Sequence, residues 1–424
     1  MIIPGLVDTH AHPTTEPIRK GITDETVSPG FWHSSLYEHL PIFDPVDDQG
    51  RLACLKVALA ELLLSGVTTL VDLSSPFEGW EETLLDSGIR AFVAPCFRDA
   101  RWFTTNGHSL EYDWNYEAGQ RAFSTAREIV ESAVRHPSGR LSAVVSPSQV
   151  DTCSEALLRD SHAFAQDHNL SWTIHAAQSV TEFQEMQHRH GMTSVQWLDS
   201  LGVLNERSVI AHCIFLDHHP WLHWTSRKDL ELLADCESTV AHCPTVFSRR
   251  GIALNTFGAY LDHGIRMSVG TDTYPHNMLD ECRTAVMVAR VIGQSVTDLD
   301  CIDVFNAATV AGADALNRSD IGRLAVGCKA DFSTIDLTSP SMRPVREPLR
   351  SLITVAGSRP VTDVFVHGEQ VVSNGDVLNI DFELELTRLQ VAQQNMLNVV
   401  SEKDWDNRSA VELAPLMLTT VESI

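Results

Sequence analysis

"LACLKVALAELLLSGVTTLVDL", residues 52–73, joins two patterns that cannot belong to one element. Its first part sets Leu52, Leu55, Leu59 and Leu62 at spacings of three and four, the period of a helix with one buried face. Gly66 follows, a residue that accepts the left-handed backbone at a helix end. Val67 to Leu73 is then a short, nearly unbroken apolar run, as in a strand covered on both faces. Helix, glycine and buried strand make one unit of a parallel α/β fold.

The unit recurs. Comparable runs lie at 2–8, 67–73, 89–95, 141–147, 172–176, 208–213, 238–244 and 265–272, with helix-like segments between most of them. Eight such units over about 250 residues or more suit a (β/α)8 TIM-type barrel. A doubly wound sheet is the alternative, and the pattern alone does not separate the two. The expected fold class is α/β, with the barrel over 1–320. "DIGRLAVGCKADFSTIDL" (320–337) and "VTDVFVHGEQVVSNGDV" (361–377) are glycine-punctuated strand patterns, so 321–382 is expected to form a small β-sandwich segment. Residues 383–424 read as an amphipathic helix followed by an irregular acidic tail.

The formal charge of −25 argues against nucleic acid or an anionic membrane as a partner, since both carry the same sign. The chain has no run of about 18 apolar residues, so no membrane span is expected. Its nine cysteines are scattered singly, which fits reduced thiols in the cytoplasm. The expected partner is a small-molecule substrate, and the expected assembly a homo-oligomer, a dimer.

Barrel enzymes carry their chemistry at the C-terminal ends of the strands. The first run ends "VDTHAH" (7–12), giving His10 and His12; the fifth gives His175, the sixth His212 and the eighth Asp272. Two histidines at i and i+2 on a strand point to the same side and can grip one ion. A third histidine and a carboxylate complete a shell for a divalent metal with room for water. Such a metal lowers the pKa of its water to about 7. Taken singly, each residue has a plain structural explanation. A histidine is often a packed core residue, and a strand-end aspartate often caps the next helix. The force lies in five of them at strand ends in barrel order.

Other segments carry weaker signals. "LDHHPWLHWTSRKD" (216–229) offers His218, His219 and His223 as a second metal site, or is a loop over the barrel mouth. The aromatics of "RWFTTNGHSLEYDWNY" (101–116) would wall a substrate or pack the loop down. Trp32, with Phe31 and His33, lies on the loop after the first strand and is a candidate for the entrance. His276 and Asn277 in "TYPHNM" (273–278) would face the pocket or form a plain turn. His242 reads as packing or as a support behind the metal ligands, not as a ligand itself, and Cys213 and Cys243 have no support as nucleophiles.

"PGLVDTHAH" (4–12), "IHAAQS" (174–179), "IAHC" (210–213) and "SVGTD" (268–272), in this order and spacing, resemble the amidohydrolase superfamily of metal-dependent hydrolases. The branch with cytosine and guanine deaminases and triazine hydrolases is the most similar in texture. "VAHCPT" (240–245) and "DIGRLAVGCKADF" (320–332) match it too. The resemblance implies a metal on His10, His12, His175 and Asp272, with Asp272 also taking a proton from the attacking water. It implies that His212 orients that water and polarises the group attacked. Zinc is the first expectation, and iron, manganese or cobalt suit the same ligands. Two-metal members place a carboxylated lysine or a glutamate at the end of the fourth strand; "VVSPSQ" (144–149) has neither, which favours one metal per chain.

Two features depart from the family. Members usually carry several dozen residues of β structure before "PGLVDTHAH". With Met1 so close to that motif, the sandwich is expected to be partial unless the start is set too late. The residue three after the fifth-strand histidine is usually glutamate, a proton shuttle to a ring nitrogen of the substrate. Here it is Gln178. An amide can hold a substrate by hydrogen bonds, but it cannot carry a proton. The expected function is hydrolysis of a non-peptide C–N bond, either deamination of an amino-heterocycle or cleavage of an amide, urea or carbamate. Displacement of another leaving group, such as halide from a triazine-like ring, is the alternative, together with a non-catalytic scaffold.

Overall fold

The computed structural model describes residues 1–418 apart from 24–26, 29, 34 and 358, so the end of the acidic tail lies outside the described residues. Eight parallel strands form the barrel: Leu6–Ala11, Val67–Asp72, Arg90–Val93, Leu141–Ala143, Trp172–Ala176, Ser208–His212, Thr239–His242 and Arg266–Val269. They pair as two arcs of four. Parallel bridges from Val145 to Trp172 and from Ala11 to Asp272 join the arcs into a closed ring, which decides for the barrel over the open doubly wound sheet.

The opening stretch folds as its periodicity requires. Asp47 caps the helix Asp48–Leu64 by accepting from the Gly50 N–H at 2.8 Å. Leu55, Leu59, Leu62 and Leu63 are fully buried against the barrel, each worth roughly 1.5–3 kcal/mol of transfer energy. Gly66 turns the chain at φ +91°, a left-handed angle open to glycine, directly into the second strand.

The β unit beside the barrel is a single five-stranded antiparallel sheet in the order Ile2–Pro4, Phe332–Ile335, Val361–Val366, Glu369–Ser373, Asp376–Val377. The start of the chain thus belongs to this sheet, with Ile3 opposite Ser333, and enters the barrel only at Leu6. Arg90 on the third barrel strand holds the sheet by a bidentate, fully buried ion pair with Asp331, at 2.9 and 3.0 Å. The C-terminal helix Phe382–Asn398 lies against the helix Asp48–Leu64, where Leu389 and Met396 meet Cys54 and Val57. All nine cysteines are free thiols. Among the described residues no helix is long and apolar enough to cross a membrane.

Candidate metal centre and active site

The ends of the first, fifth, sixth and eighth strands converge on one point. His10, His12 and His175 bring one ring nitrogen each within 4.8 Å of one another, and the ring nitrogens of His10 and His212 meet a carboxylate oxygen of Asp272 within the same distance. Asp272 Oδ1 lies 3.7 Å from His10 Nε2 and 3.5 Å from His12 Nε2. The sequence therefore named residues that meet in space although up to 262 positions separate them.

The hydrogen bonds around these rings set their tautomers. His12 Nδ1 donates to the Leu73 carbonyl at 2.9 Å, and His175 Nδ1 donates to the Ser148 carbonyl at 2.5 Å. A carbonyl only accepts, so each Nδ1 carries the proton and each Nε2 presents a lone pair. Those two lone pairs face each other across 3.1 Å. Two acceptors at that distance repel unless a cation lies between them. Carbonyl partners behind metal-binding imidazoles are the usual way such ligands are held. Both nitrogens of fully buried His10, and Nδ1 of His212, have no hydrogen-bond partner among the described residues. Burial, with the neighbouring imidazoles, holds His10 and His212 well below the usual histidine range, so they stay neutral and able to ligate. Burial puts His175 at about 3 and lifts Asp272 to about 6. The donor set fits one divalent metal ion.

Local backbone geometry builds the cluster. His212 and Asp272 take left-handed angles, φ +76° and +56°, unusual for residues with a Cβ and typical of functional turns. The Asp272 N–H donates to His10 O at 2.8 Å, and the His12 N–H to Asp272 O at 3.0 Å, so the last strand is stitched to the first. Gly270 allows that approach, since a Cβ there would lie 2.7–2.9 Å from His10 atoms. Asp8, which the sequence reading overlooked, completes the seam. It accepts from the His10 N–H and the Thr271 N–H at 3.1 Å each and from the Thr271 hydroxyl at 2.7 Å. Burial raises it to about 7. Its signal was a lone acid inside an apolar strand.

A cavity of about 540 Å³ opens over the cluster. His12, His175, Gln178, His212 and Asp272 line its floor, and Trp102, Leu36 and Phe247 give it apolar walls. Gln178 is buried and its amide nitrogen has no hydrogen-bond partner among the described residues. The fifth-strand turn that carries it is fixed from behind by Glu182, which accepts from the Ala177 N–H at 2.6 Å and the Gln178 N–H at 3.2 Å. Burial first, then the charge of Asp151, raises Glu182 to about 8.

Several expectations change. His276 does not face the cavity; it is buried beside Glu61, whose carboxylate accepts its backbone N–H at 3.2 Å. Asn277 instead caps the helix Met278–Ile292, accepting from the Leu279 N–H at 3.1 Å and the Asp280 N–H at 3.3 Å. The chain leaves the barrel mouth straight after Thr273, which does line the cavity. Trp32 is half-exposed on the rim, packed edge-on against Phe215 and Trp221, and its neighbour His33 takes the place in the cavity wall. His218 is bound to the Asn255 carbonyl at 2.8 Å, and His219 accepts from the Trp221 N–H at 3.3 Å. Among the described residues they form no metal-binding group. His242 packs on Phe257. Burial pushes the thiols of Cys213 and Cys243 well up, so neither is a ready nucleophile.

Comparison with known proteins agrees with this geometry. The 5'-deoxyadenosine deaminase of Methanopyrus kandleri is 25% identical over 386 residues, covering 90% of this chain and 83% of that protein. A 5-methylthioadenosine/S-adenosylhomocysteine deaminase of Bacillus cereus is 28% identical over 391 residues, covering 90% and 84%. Among solved structures, a zinc-bound adenosine deaminase from Xanthomonas campestris superposes with a TM-score of 0.80 at 23% identity, over 94% of this chain and 86% of that one. The zinc complex of atrazine chlorohydrolase from Arthrobacter aurescens gives 0.76 at 20% identity, over 92% and 88%. At those identities the two structures support the fold alone. The family model described as "Amidohydrolase family" matches residues 1–371, and the chain belongs to that family.

Proposed function

We propose that this chain is a metal-dependent hydrolase that cleaves a non-peptide C–N bond of a small molecule, with zinc its metal. The carrying observation is the pair of Nε2 lone pairs of His12 and His175, 3.1 Å apart and locked by carbonyls behind them. His10, His12, His175 and Asp272 would hold the ion. When bound, it supplies an acidified water at neutral pH. The zinc-bound relatives favour zinc, although the ligand set also suits iron, manganese and cobalt.

The chain's own groups do the rest. The Asp272 carboxylate sits at the cavity floor, where it can accept a proton from the attacking water. The His212 ring, 5.1 Å between centroids from His10, faces the same space and can polarise the group attacked. The Gln178 amide nitrogen, with no partner among the described residues, donates a hydrogen bond to the substrate. Leu36, Trp102 and Phe247 exclude water and hold its apolar part.

The deaminase relatives make amino-heterocycles the first substrates to test. Gln178 supports a second reading, hydrolysis of an amide, urea or carbamate, because attack on a carbonyl carbon needs no proton placed on a ring nitrogen. The experiment is a screen of the zinc-loaded chain for ammonia release from aminopurine nucleosides and aminotriazines, beside hydrolysis of ureas and carbamates. Turnover lost in His10→Ala and Asp272→Asn supports the reading. A fully metal-loaded chain that turns over none of these classes overturns it.

A further inference from the structure

Arg98 and Arg101 line the active-site cavity beside Trp102, on the side of the third strand. Both side chains are open to it. Neither makes an ion pair or a side-chain hydrogen bond among the described residues. The chain carries 56 acidic against 31 basic residues, so two cations facing one cavity without a counter-ion are the feature to explain. Several other arginines have found carboxylates: Arg19 holds Glu16 and Asp44, Arg90 holds Asp331, and Arg408 holds Glu38 and Asp404. Among the described residues no carboxylate is in ion-pair contact with either guanidinium group, although one buried oxygen each of Asp99 and Asp151 has no hydrogen-bond partner. Asp151 accepts from Trp102 Nε1 at 3.0 Å and from the Tyr112 hydroxyl at 2.8 Å. Asp113 stands opposite Arg101 in the hairpin Ala100–Phe103/Glu111–Trp114, and among the described residues the two form no ion pair. Glu16 and Asp44, which share the cavity wall, are bound to Arg19.

The two cations also repel. Its place inside the cavity, with protein packed around it, pushes the Arg98 guanidinium below its usual range, and Arg101 adds to the effect. Folding gains nothing from placing two like charges together without a counter-ion; a ligand that brings one would. The position is right for a substrate's far end. Cys96, two residues before Arg98, pairs with Ser146, and the Phe97 carbonyl accepts from the Ser148 N–H at 2.9 Å. Ser148 in turn holds His175. Arg98 thus stands one strand away from the metal cluster on the same rim.

We propose that Arg98 and Arg101 form an anion subsite, so that the substrate carries a carboxylate or phosphate group remote from the bond cleaved, with Trp102 stacking on what lies between. This rests on the hydrolase reading of the same cavity. Paired guanidinium forks suit planar carboxylates and phosphates, and bind them through charge-assisted hydrogen bonds.

The test is calorimetric binding of benzoate, phenyl phosphate and neutral benzamide to the zinc-loaded full chain, and to Arg98→Gln, Arg101→Gln and the double variant. Both arginines are open to the cavity, so unchanged melting temperatures will confirm folding. The expected result is that one or both charged probes bind, benzamide binds far more weakly, and each substitution weakens the charged probe about tenfold. Benzoate or phenyl phosphate alone identifies carboxylate or phosphate as the group read. Equal binding to wild type and the double variant would place the anion on the metal and overturn the proposal, as would no preference over benzamide. If no C–N substrate is turned over yet arginine-dependent binding holds, the hydrolase reading fails and the subsite stands.

Discussion

The Nε2 atoms of His12 and His175 face each other at 3.1 Å, each with its proton held on the far side of the ring by a main-chain carbonyl. This pair is unfavourable without an ion and favourable with one, so metal binding must couple to stability. Elemental analysis of protein purified without chelator should give about one transition metal per chain. Removal should lower the melting temperature, and zinc at a thousandfold excess over its Kd should restore roughly 4 kcal/mol. His12→Ala and His175→Ala should abolish that zinc-dependent rise. Two metals per chain, or no metal-dependent shift, would contradict the site as drawn.

Gly270 should tolerate no side chain. A Cβ there would stand 2.7 Å from the His10 Cβ and carbonyl oxygen and 2.9 Å from its nitrogen, and backbone cannot step aside as a flexible side chain can. Gly270→Ala should cost about 1–3 kcal/mol by overpacking. It should also weaken metal retention, because the displaced strand carries Asp272. A control, Gly251→Ala, places its Cβ in open space, and any cost there comes only from its left-handed φ of +69°. Metal content should drop in the first variant and not in the second.

The elements legible from sequence were those with local causes. All eight barrel strands showed as apolar runs because each is buried on both faces, and the strand-end histidines followed. Closure was not legible, since it rests on Ala11 meeting Asp272 across the whole barrel. Nor was the pairing of Ile2–Pro4 with Phe332–Ile335, two segments about 330 residues apart that share no local signal. Asn277 was misplaced because a polar residue after a strand end can serve a pocket or cap a helix, and only the helix register decides. Arg98 and Arg101 were missed for a related reason: a sequence does not reveal which arginines have a carboxylate within reach.

Glu61 gives a pH dependence away from the cluster. Burial alone would raise its pKa, but the His276 hydrogen bond and the charge of Lys20 outweigh that and hold it at about 2. A carboxylate held below its unfolded value stabilises the protein above that value and loses the contribution as pH falls toward the folded one. The stability difference between wild type and Glu61→Gln should therefore be largest above pH 5. It should shrink between about pH 4.5 and 2, by roughly 3 kcal/mol at most. Urea melts of both proteins at pH 7, 4 and 3 check the trend. A gap that widens with acid would mean that Glu61 is not the group held down.

Gln178 separates the two substrate classes. It lies in the cavity floor with a free amide nitrogen, its turn held by Glu182, so Gln178→Glu places a carboxyl at nearly the same point. A carboxyl can deliver a proton to a ring nitrogen, and a positioned general acid is worth about 10²–10⁴ in rate. If amino-heterocycles are the substrates and the proton step is slow, Gln178→Glu should raise kcat for ammonia release at least tenfold with zinc content unchanged. If the native substrate is a urea or carbamate, the same change should lower kcat/KM by about tenfold, since it replaces a hydrogen-bond donor with an acceptor facing a carbonyl oxygen. Gln178→Ala should weaken either substrate without either gain. Identical kinetics in all three proteins would show that the side chain does not touch the substrate, and the proton route would then have to run through His212.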